Sequence, residues 1–224
     1  MATHSGVARA RAGICAPGFP KGHFRKRRRV AFCGMANDPL STPALHEAAL
    51  AHLARYATTQ AGLLRVLNRR IDRWVRAQAD AVEAPAVATA RAAARAVVAQ
   101  FAAQGLINDA EFAASRARSL TRAGRSRLAI AAHLAARGVG REVAAGAMPA
   151  HEDADFAAAL ACARRRRIGP FRRAEVDAEG HNRELAILAR AGFPREVALR
   201  ALACPAGEGE ALVIALRQNL LDPA

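Results

Sequence analysis

The chain has 224 residues, 52 % apolar and only 4 % aromatic, with a formal net charge of +15 from 34 basic and 19 acidic residues. This length suffices for one large domain or several small helical units. The core must come from Ala, Leu and Val, which suits close-packed helices, and without period-2 runs of Val, Ile, Thr and Tyr no strand is expected. No charge-free run of about 18 apolar residues is present, which excludes a membrane span.

Residues 1–40 are rich in Gly, Pro and Arg, carry no apolar periodicity and read as a disordered basic tail. The run Arg25-Lys26-Arg27-Arg28-Arg29 reads as a nucleic-acid-binding arm. The acid-free composition also matches an organellar transit peptide without its amphipathic helix, and a third reading starts translation at Met35. Eight basic residues and no acid lie in residues 1–34. The remaining 26 basic residues face 19 acids, so the folded part carries only +7. A GC-rich genome, which enriches Arg and Ala together, is one source of this charge. Whatever its origin, a surface this positive attracts nucleic acid or an acidic partner.

Ordered structure is expected from Ser41 or Thr42, with Pro43 at the first helical position. Leu45, Ala49, Leu50 and Leu53 mark one face of a helix ending near Ala57. Thr58 or Thr59 caps a second helix with Leu63, Leu64, Leu67 and Ile71 on its apolar side. A polar connection over 76–86 leads to a third helix from about Ala86 to Ala103, stopped by Gly105. Asn108 or Asp109 caps the next helix, with Phe112, Ala113, Ala117 and Leu120 inward and Glu111, Ser115, Arg118 and Arg122 outward. Gly124 ends it. Ser126 starts a helix carrying Ile130 and Leu134, closed by Gly138, and a brief helix follows from Arg141 to Ala147. The plan recurs from His151, with a helix to about Arg167, an irregular insertion over 168–180, helices over 181–191 and 195–203, and an amphipathic segment from Glu210 to Leu221.

The order of these elements is a repeat. Gly138-Val139-Gly140-Arg141-Glu142-Val143-Ala144 returns 54 residues later as Gly192-Phe193-Pro194-Arg195-Glu196-Val197-Ala198. Glu111-Phe112-Ala113-Ala114 is answered by Asp155-Phe156-Ala157-Ala158. Thr59, Leu63, Leu67 and Arg70 stand 67 residues before Ser126, Ile130, Leu134 and Arg137, a weaker first copy. Periods of tens of residues denote one supersecondary unit used several times, presenting an extended surface rather than one deep pocket. The expected architecture is all-α: three tandem three-helix repeats, helix-turn-helix-like, in an elongated, curved array. The expected divisions are the tail 1–40, repeats over 41–105, 106–149 and 150–204, and a C-terminal segment 205–224.

No catalytic or cofactor motif is present: no GxGxxG, Walker loop, HExxH or GxSxG. The four dispersed cysteines, Cys15, Cys33, Cys162 and Cys204, show no metal-ligand or CxxC spacing and read as reduced and structural. His52, His133 and His181 read as solvated or half-buried, and Glu152-Asp153 as charge at a helix N-terminus. Neither an enzyme nor a cofactor is expected. The arginines remain. Arg116, Arg118, Arg122, Arg125 and Arg127 surround the first turn of the second unit, and Arg164, Arg165, Arg166, Arg167, Arg172 and Arg173 take the matching place in the third. Arg55, Arg65, Arg69, Arg70 and Arg73 do so more loosely in the first. Any one of these reads as a solvated residue. Four consecutive arginines cannot escape mutual repulsion, and a polyanion or acidic groove relieves it. Most aromatics occupy core-like positions, so no single-strand stacking platform is expected.

Residues 43–204 resemble the RecX family, bacterial regulators of the RecA recombinase. The resemblance rests on Gly105-Leu106-Ile107-Asn108-Asp109-Ala110-Glu111-Phe112-Ala113, continuing through Arg116-Ala117-Arg118-Ser119 and Arg122-Ala123-Gly124-Arg125-Ser126 to Ile130, Leu134, Gly138 and Val139. Leu188-Ala189-Arg190-Ala191-Gly192-Phe193 is similar to the family's third-repeat ending, and Arg55-Tyr56-Ala57-Thr58-Thr59 with Leu64-Arg65-Val66-Leu67 to a first-repeat variant. Asn108 departs from the family's first acid while keeping capping ability. The resemblance implies a non-enzymatic, cytoplasmic, monomeric regulator that lies in the groove of the RecA–single-stranded DNA filament. Such a regulator inhibits ATP hydrolysis, coprotease activity and strand exchange in recombination, repair and the SOS response. A helical-repeat protein binding DNA or RNA directly, without RecA, is the alternative.

Overall fold

The computed structural model describes residues 40–78, 83–149 and 152–218, which hold ten α-helices, one 3₁₀ turn and no strand. Residues 1–39 of the expected tail 1–40, with the alternative start at Met35, Cys15 and Cys33, lie outside the described residues, whereas Leu40, expected in the tail, is buried in the core of the first three helices. The first three helices are α1 (Thr42–Leu53), α2 (Gln60–Ala77) and α3 (Ala84–Ala103). Leu45, Ala49, Leu63, Leu67, Ile71 and Phe101 are buried between them. Helix α1 stops four residues short of the expected Ala57, because Ala54 to Ala57 are all exposed and none is buried to hold another turn. Leu50, expected inward, is likewise exposed.

The second trio is α4 (Asp109–Arg122), α5 (Arg127–Ala136) and α6 (Arg141–Gly146). Its core is the smallest, with Ala113, Ala117, Ile130, Leu134, Val139 and Ala144. Asn108 caps α4 by accepting from the Ala110 and Glu111 N–H groups, both at 3.0 Å. The third trio is α7 (Glu152–Arg166), α8 (Ala178–Arg190) and α9 (Arg195–Ala203), with a 3₁₀ turn at Gly169–Phe171 inside the irregular insertion. Helix α7 is buried along most of its length and packs against α9 and against α10 (Ala206–Arg217).

Two later helix starts also differ from expectation. Helix α8 begins three residues early, because the Asp177 carboxylate accepts from the Gly180 N–H at 2.7 Å and caps a turn inside the expected insertion. Helix α10 begins directly after Pro205, four residues before Glu210, and the buried Gly209 lets the Phe171 ring approach its backbone. The repeated glycine motif closes α5 and α8 in the same way. The Gly138 N–H donates to the Ala135 carbonyl and the Val139 N–H to Leu134; Gly192 and Phe193 do likewise with Ala189 and Leu188. These are Schellman closures, which place the glycine in the left-handed region, at φ +82° and +88°.

Candidate polyanion-binding surface between the repeats

Successive trios are joined by one device used twice. At the first junction the Thr59 hydroxyl caps α2, accepting from the Gly62 N–H, and donates at 2.7 Å to the Arg137 carbonyl that ends α5. The Gln60 N–H donates to Asp109 Oδ1 at the start of α4. At the second junction the Ser126 hydroxyl caps α5, accepting from the Ala129 N–H, and donates at 2.7 Å to the Ala191 carbonyl that ends α8. The Arg127 N–H donates to Asp155 Oδ1 in α7. In both, an orphan donor at a helix start and an orphan carbonyl at a helix end are satisfied together. Gly138 and Gly192 therefore do more than stop helices. A Cβ on Gly138 would stand 2.3 Å from Ala61 Cβ, and one on Gly192 2.8 Å from Ser126 Oγ.

A groove lies beside each junction. The first, about 620 Å³, is lined by Tyr56, Ile107, Phe112 and Ser119 together with Glu111, Arg116 and Arg137. The second, about 440 Å³, is lined by Arg125, Arg165, Arg166 and Arg190 over Cys162 and Ile187, with no carboxylate among the described residues that line it.

Apart from the half-buried Arg122, the expected site arginines divide into two groups. Six are held internally. Arg65 donates to the Ala136 and Arg137 carbonyls at 3.0 and 2.9 Å, reinforcing the first junction. Arg127 donates to the Pro149 carbonyl, Arg165 to the Ala123 carbonyl at the end of α4, and Arg116 to His133 Nε2. Arg164 pairs with Glu210, and Arg172 with the buried Glu184, which also accepts from the Gly169 N–H. Arg55, Arg69, Arg118, Arg125, Arg166, Arg167 and Arg173 are exposed, and their side chains make no hydrogen bond or ion pair with a described residue. So do Arg70 and, apart from a long contact from Arg73 Nε to the Arg69 carbonyl, Arg73. The run 164–167 is thus half scaffold and half free surface.

Sequence reasoning missed Glu184. It occupies the position that Leu63 and Ile130 fill in the other trios, and a charge at a core register was the available signal. It also missed the exposed Tyr56 beside the first groove. His52, His133 and His181 are all half-buried as expected. Burial holds the His133 imidazolium pKa below its ordinary value, with Arg116, Arg137 and Arg125 adding to the effect in that order. Burial raises the Asp155 carboxyl pKa, opposed by the Arg127 N–H bond and charge. Cys162 and Cys204 are buried free thiols. Among the described residues no His, Cys, Asp or Glu group is placed to hold a metal ion, and no helix is long and apolar enough to cross a membrane.

Comparison with known proteins agrees with this architecture. Residues 108–148, which span α4 to α6, match the RecX second three-helix domain. A regulatory protein RecX from Myxococcus xanthus (strain DK1622) is 40 % identical over 161 residues, covering 70 % of this chain and 83 % of that protein. A regulatory protein RecX from Agrobacterium fabrum (strain C58) is 36 % identical over 104 residues, covering 46 % of this chain and 55 % of that protein. With its repeated three-helix frame and this extent of identity, the chain belongs to the RecX family of regulatory proteins.

Proposed function

We propose that this RecX-family regulator binds the filament of RecA on single-stranded DNA and lowers its ATPase, strand-exchange and coprotease activities, acting in the cytoplasm as a monomer without a cofactor. The observation that supports this is the recurrence of unpaired arginines: Arg55 and Arg69 in the first trio, Arg118 and Arg125 in the second, and Arg166, Arg167 and Arg173 in the third. Exposed guanidiniums with no internal partner keep their full charge for a polyanion. Spacing by repeat lets several engage one long partner at once, which multiplies weak contacts.

Added to RecA on single-stranded DNA, the protein is expected to depress ATP hydrolysis at substoichiometric ratios; unchanged hydrolysis across a full titration overturns the proposal. Reversing the whole run 164–167 is a poor probe, because Arg164 and Arg165 hold α10 and the end of α4. Arg166→Glu with Arg167→Glu leaves those bonds intact and should weaken filament binding without a change in helix content. The exposed charge also favours a second reading, direct binding to bare nucleic acid. Affinity for duplex equal to that for the filament, with the same salt dependence, would favour it.

A further inference from the structure

The groove between the second and third trios has properties that the arginine row alone does not supply. It is concave, about 440 Å³, within the roughly 300–1,000 Å³ typical of small-ligand sites. Its walls carry four guanidiniums, from Arg125, Arg165, Arg166 and Arg190, and no described carboxylate lines it. Its remaining lining includes the apolar Cys162, Ile187 and Ala191. Guanidiniums stay charged at any physiological pH, so the groove cannot relieve its repulsion by losing protons.

The groove also lies at the ends of α4 and α8, where exposed carbonyls ordinarily repel anions. Both end carbonyls are already occupied by donors: Ala123 O accepts from Arg165 at 2.7 Å, and Ala191 O from the Ser126 hydroxyl at 2.7 Å. Arg190 Nε donates to the Ala186 carbonyl, which fixes that side chain and leaves its terminal nitrogens unengaged. Two of the four arginines are therefore tethered with donors to spare, and the other two, Arg125 and Arg166, are uncommitted. Four arginines lining one groove, two of them held by backbone carbonyls, match the tetrahedral oxygens of phosphate, which accept bidentate pairs from several directions.

We infer that the Arg125–Arg165–Arg166–Arg190 groove is a phosphate-binding pocket that seats the backbone phosphates of single-stranded nucleic acid. This deepens the filament reading and rests on it only for the source of the phosphate. A free phosphorylated molecule shares the same chemistry, and the test separates the two.

The full chain is titrated with pyrophosphate and with a twenty-residue oligothymidylate, each followed by fluorescence-free calorimetry and by thermal melting. Saturable binding of both is expected. Arg125→Ala combined with Arg166→Ala should weaken both by at least tenfold. It should also flatten the oligonucleotide's plot of log K against log salt by about 1.4, as two single-strand phosphate contacts are lost. The equal-charge control, Arg95→Ala with Arg195→Ala, removes two exposed arginines that lie outside the groove and outside the proposed binding row, and should cost less than about threefold, since screening leaves only short-range charge effective. Arg125→Lys with Arg166→Lys keeps the charge without the fork, and an intermediate loss identifies fork geometry.

Tighter oligonucleotide than pyrophosphate binding assigns the pocket to a backbone, whereas the reverse overturns that assignment in favour of a free phosphorylated ligand. No saturation by either, or equal losses in groove and control variants, overturns the pocket itself. A wild-type protein that binds both probes yet leaves RecA hydrolysis unchanged refutes the filament reading and leaves the pocket standing.

Discussion

The two junctions share their hydrogen-bond frame and differ in nearly everything beside it. Each uses a capping hydroxyl, a helix-end carbonyl, a carboxylate and a left-handed glycine in the same relation, as Thr59, Arg137, Asp109 and Gly138 or as Ser126, Ala191, Asp155 and Gly192. The flanking grooves share no such rule. One mixes Arg116 and Arg137 with Glu111 and the exposed Tyr56, while the other gathers four arginines. Stacking fixes the frame, because buried polar groups must be satisfied wherever two trios meet. It leaves the groove walls unconstrained, so charge there is open to a role in binding. The third trio carries the contrast to its end. Gly180 stands where Thr59 and Ser126 stood, Asp177 caps α8 instead, and α10 packs against α7 without a further copy of the device.

Breaking the frame should produce the largest effects. Gly138→Ala forces a left-handed alanine, at about 1–2 kcal/mol, and drives its methyl into Ala61 Cβ, whose position is fixed by the backbone of α2. Overpacking of this kind adds roughly 1–3 kcal/mol, so denaturant unfolding should report a total loss of about 3 kcal/mol. Adding Ala61→Gly should recover the steric part and leave the backbone part. If Gly138→Ala unfolds like the parent, the trios do not meet as described.

The hydroxyls come next, and here the junctions should separate. Ser126→Ala removes an α5 cap and leaves the Ala191 carbonyl without its hydroxyl donor, a loss of about 2 kcal/mol from cap and unsatisfied acceptor together. Thr59→Ala removes the same bonds at the first junction, yet the Arg137 carbonyl keeps Arg65 Nη2 at 2.9 Å. Its loss should be nearer 1 kcal/mol, and Thr59→Ser should be almost neutral. Paired thermal melts compare the two, and a larger loss for Thr59→Ala contradicts the Arg65 clamp.

Much of this frame was legible before any coordinates, and the reasons are local. Thr59, Ser126 and Asn108 are capping residues standing before apolar periodicity, and Gly105, Gly124, Gly138 and Gly192 follow it, so helix ends could be read from residue type. The failures also have local causes. The start of α8 lies hidden in the expected insertion over 168–180 because Asp177 caps it there, and the start of α10 is displaced from Glu210 because Gly207 and Gly209 are poor helix formers that tertiary packing overrides. The arginines were the least legible. Sequence spacing cannot tell Arg165, spent on a carbonyl 42 residues away, from Arg166 beside it, because that distinction depends on which trio lies across the groove.

The carboxylate at the second junction gives a smaller and pH-dependent difference. Burial raises the Asp155 pKa above its ordinary 3.8, so the folded chain holds that proton more tightly than the unfolded chain. Stability then falls as pH rises from about 3.8 through the raised folded value, and the full cost is present at neutral pH. Asp155→Asn keeps an oxygen to accept the Arg127 N–H and has no charge to desolvate. At pH 7 it should equal or exceed the parent by up to about 1 kcal/mol, with the gap closing toward pH 3. Asp155→Ala, lacking the acceptor, should be less stable at both. A gap that widens on acidification would reverse the sign and refute the burial argument.

The smallest effect reads both grooves at once. His133 lies near Arg116 and Arg137 of the first groove and Arg125 of the second, and its Nε2 must keep a lone pair to accept from Arg116 Nε at 3.2 Å. Its folded pKa is held below 6.5, chiefly by burial. Its contribution to stability is therefore complete above about pH 6.5 and declines as pH falls toward the depressed value. NMR titration of the His133 ring should show the pKa rising when a neighbouring guanidinium is removed, most for Arg116→Ala, less for Arg137→Ala and least for Arg125→Ala. An anion seated in the second groove depends on Arg125 and Arg166, so its effect on the ring should vanish in the Arg125→Ala, Arg166→Ala protein, whereas one in the first groove should act there undiminished. A pyrophosphate-induced shift of His133 that survives in that variant would therefore move the phosphate out of the four-arginine groove and into the one beside Tyr56.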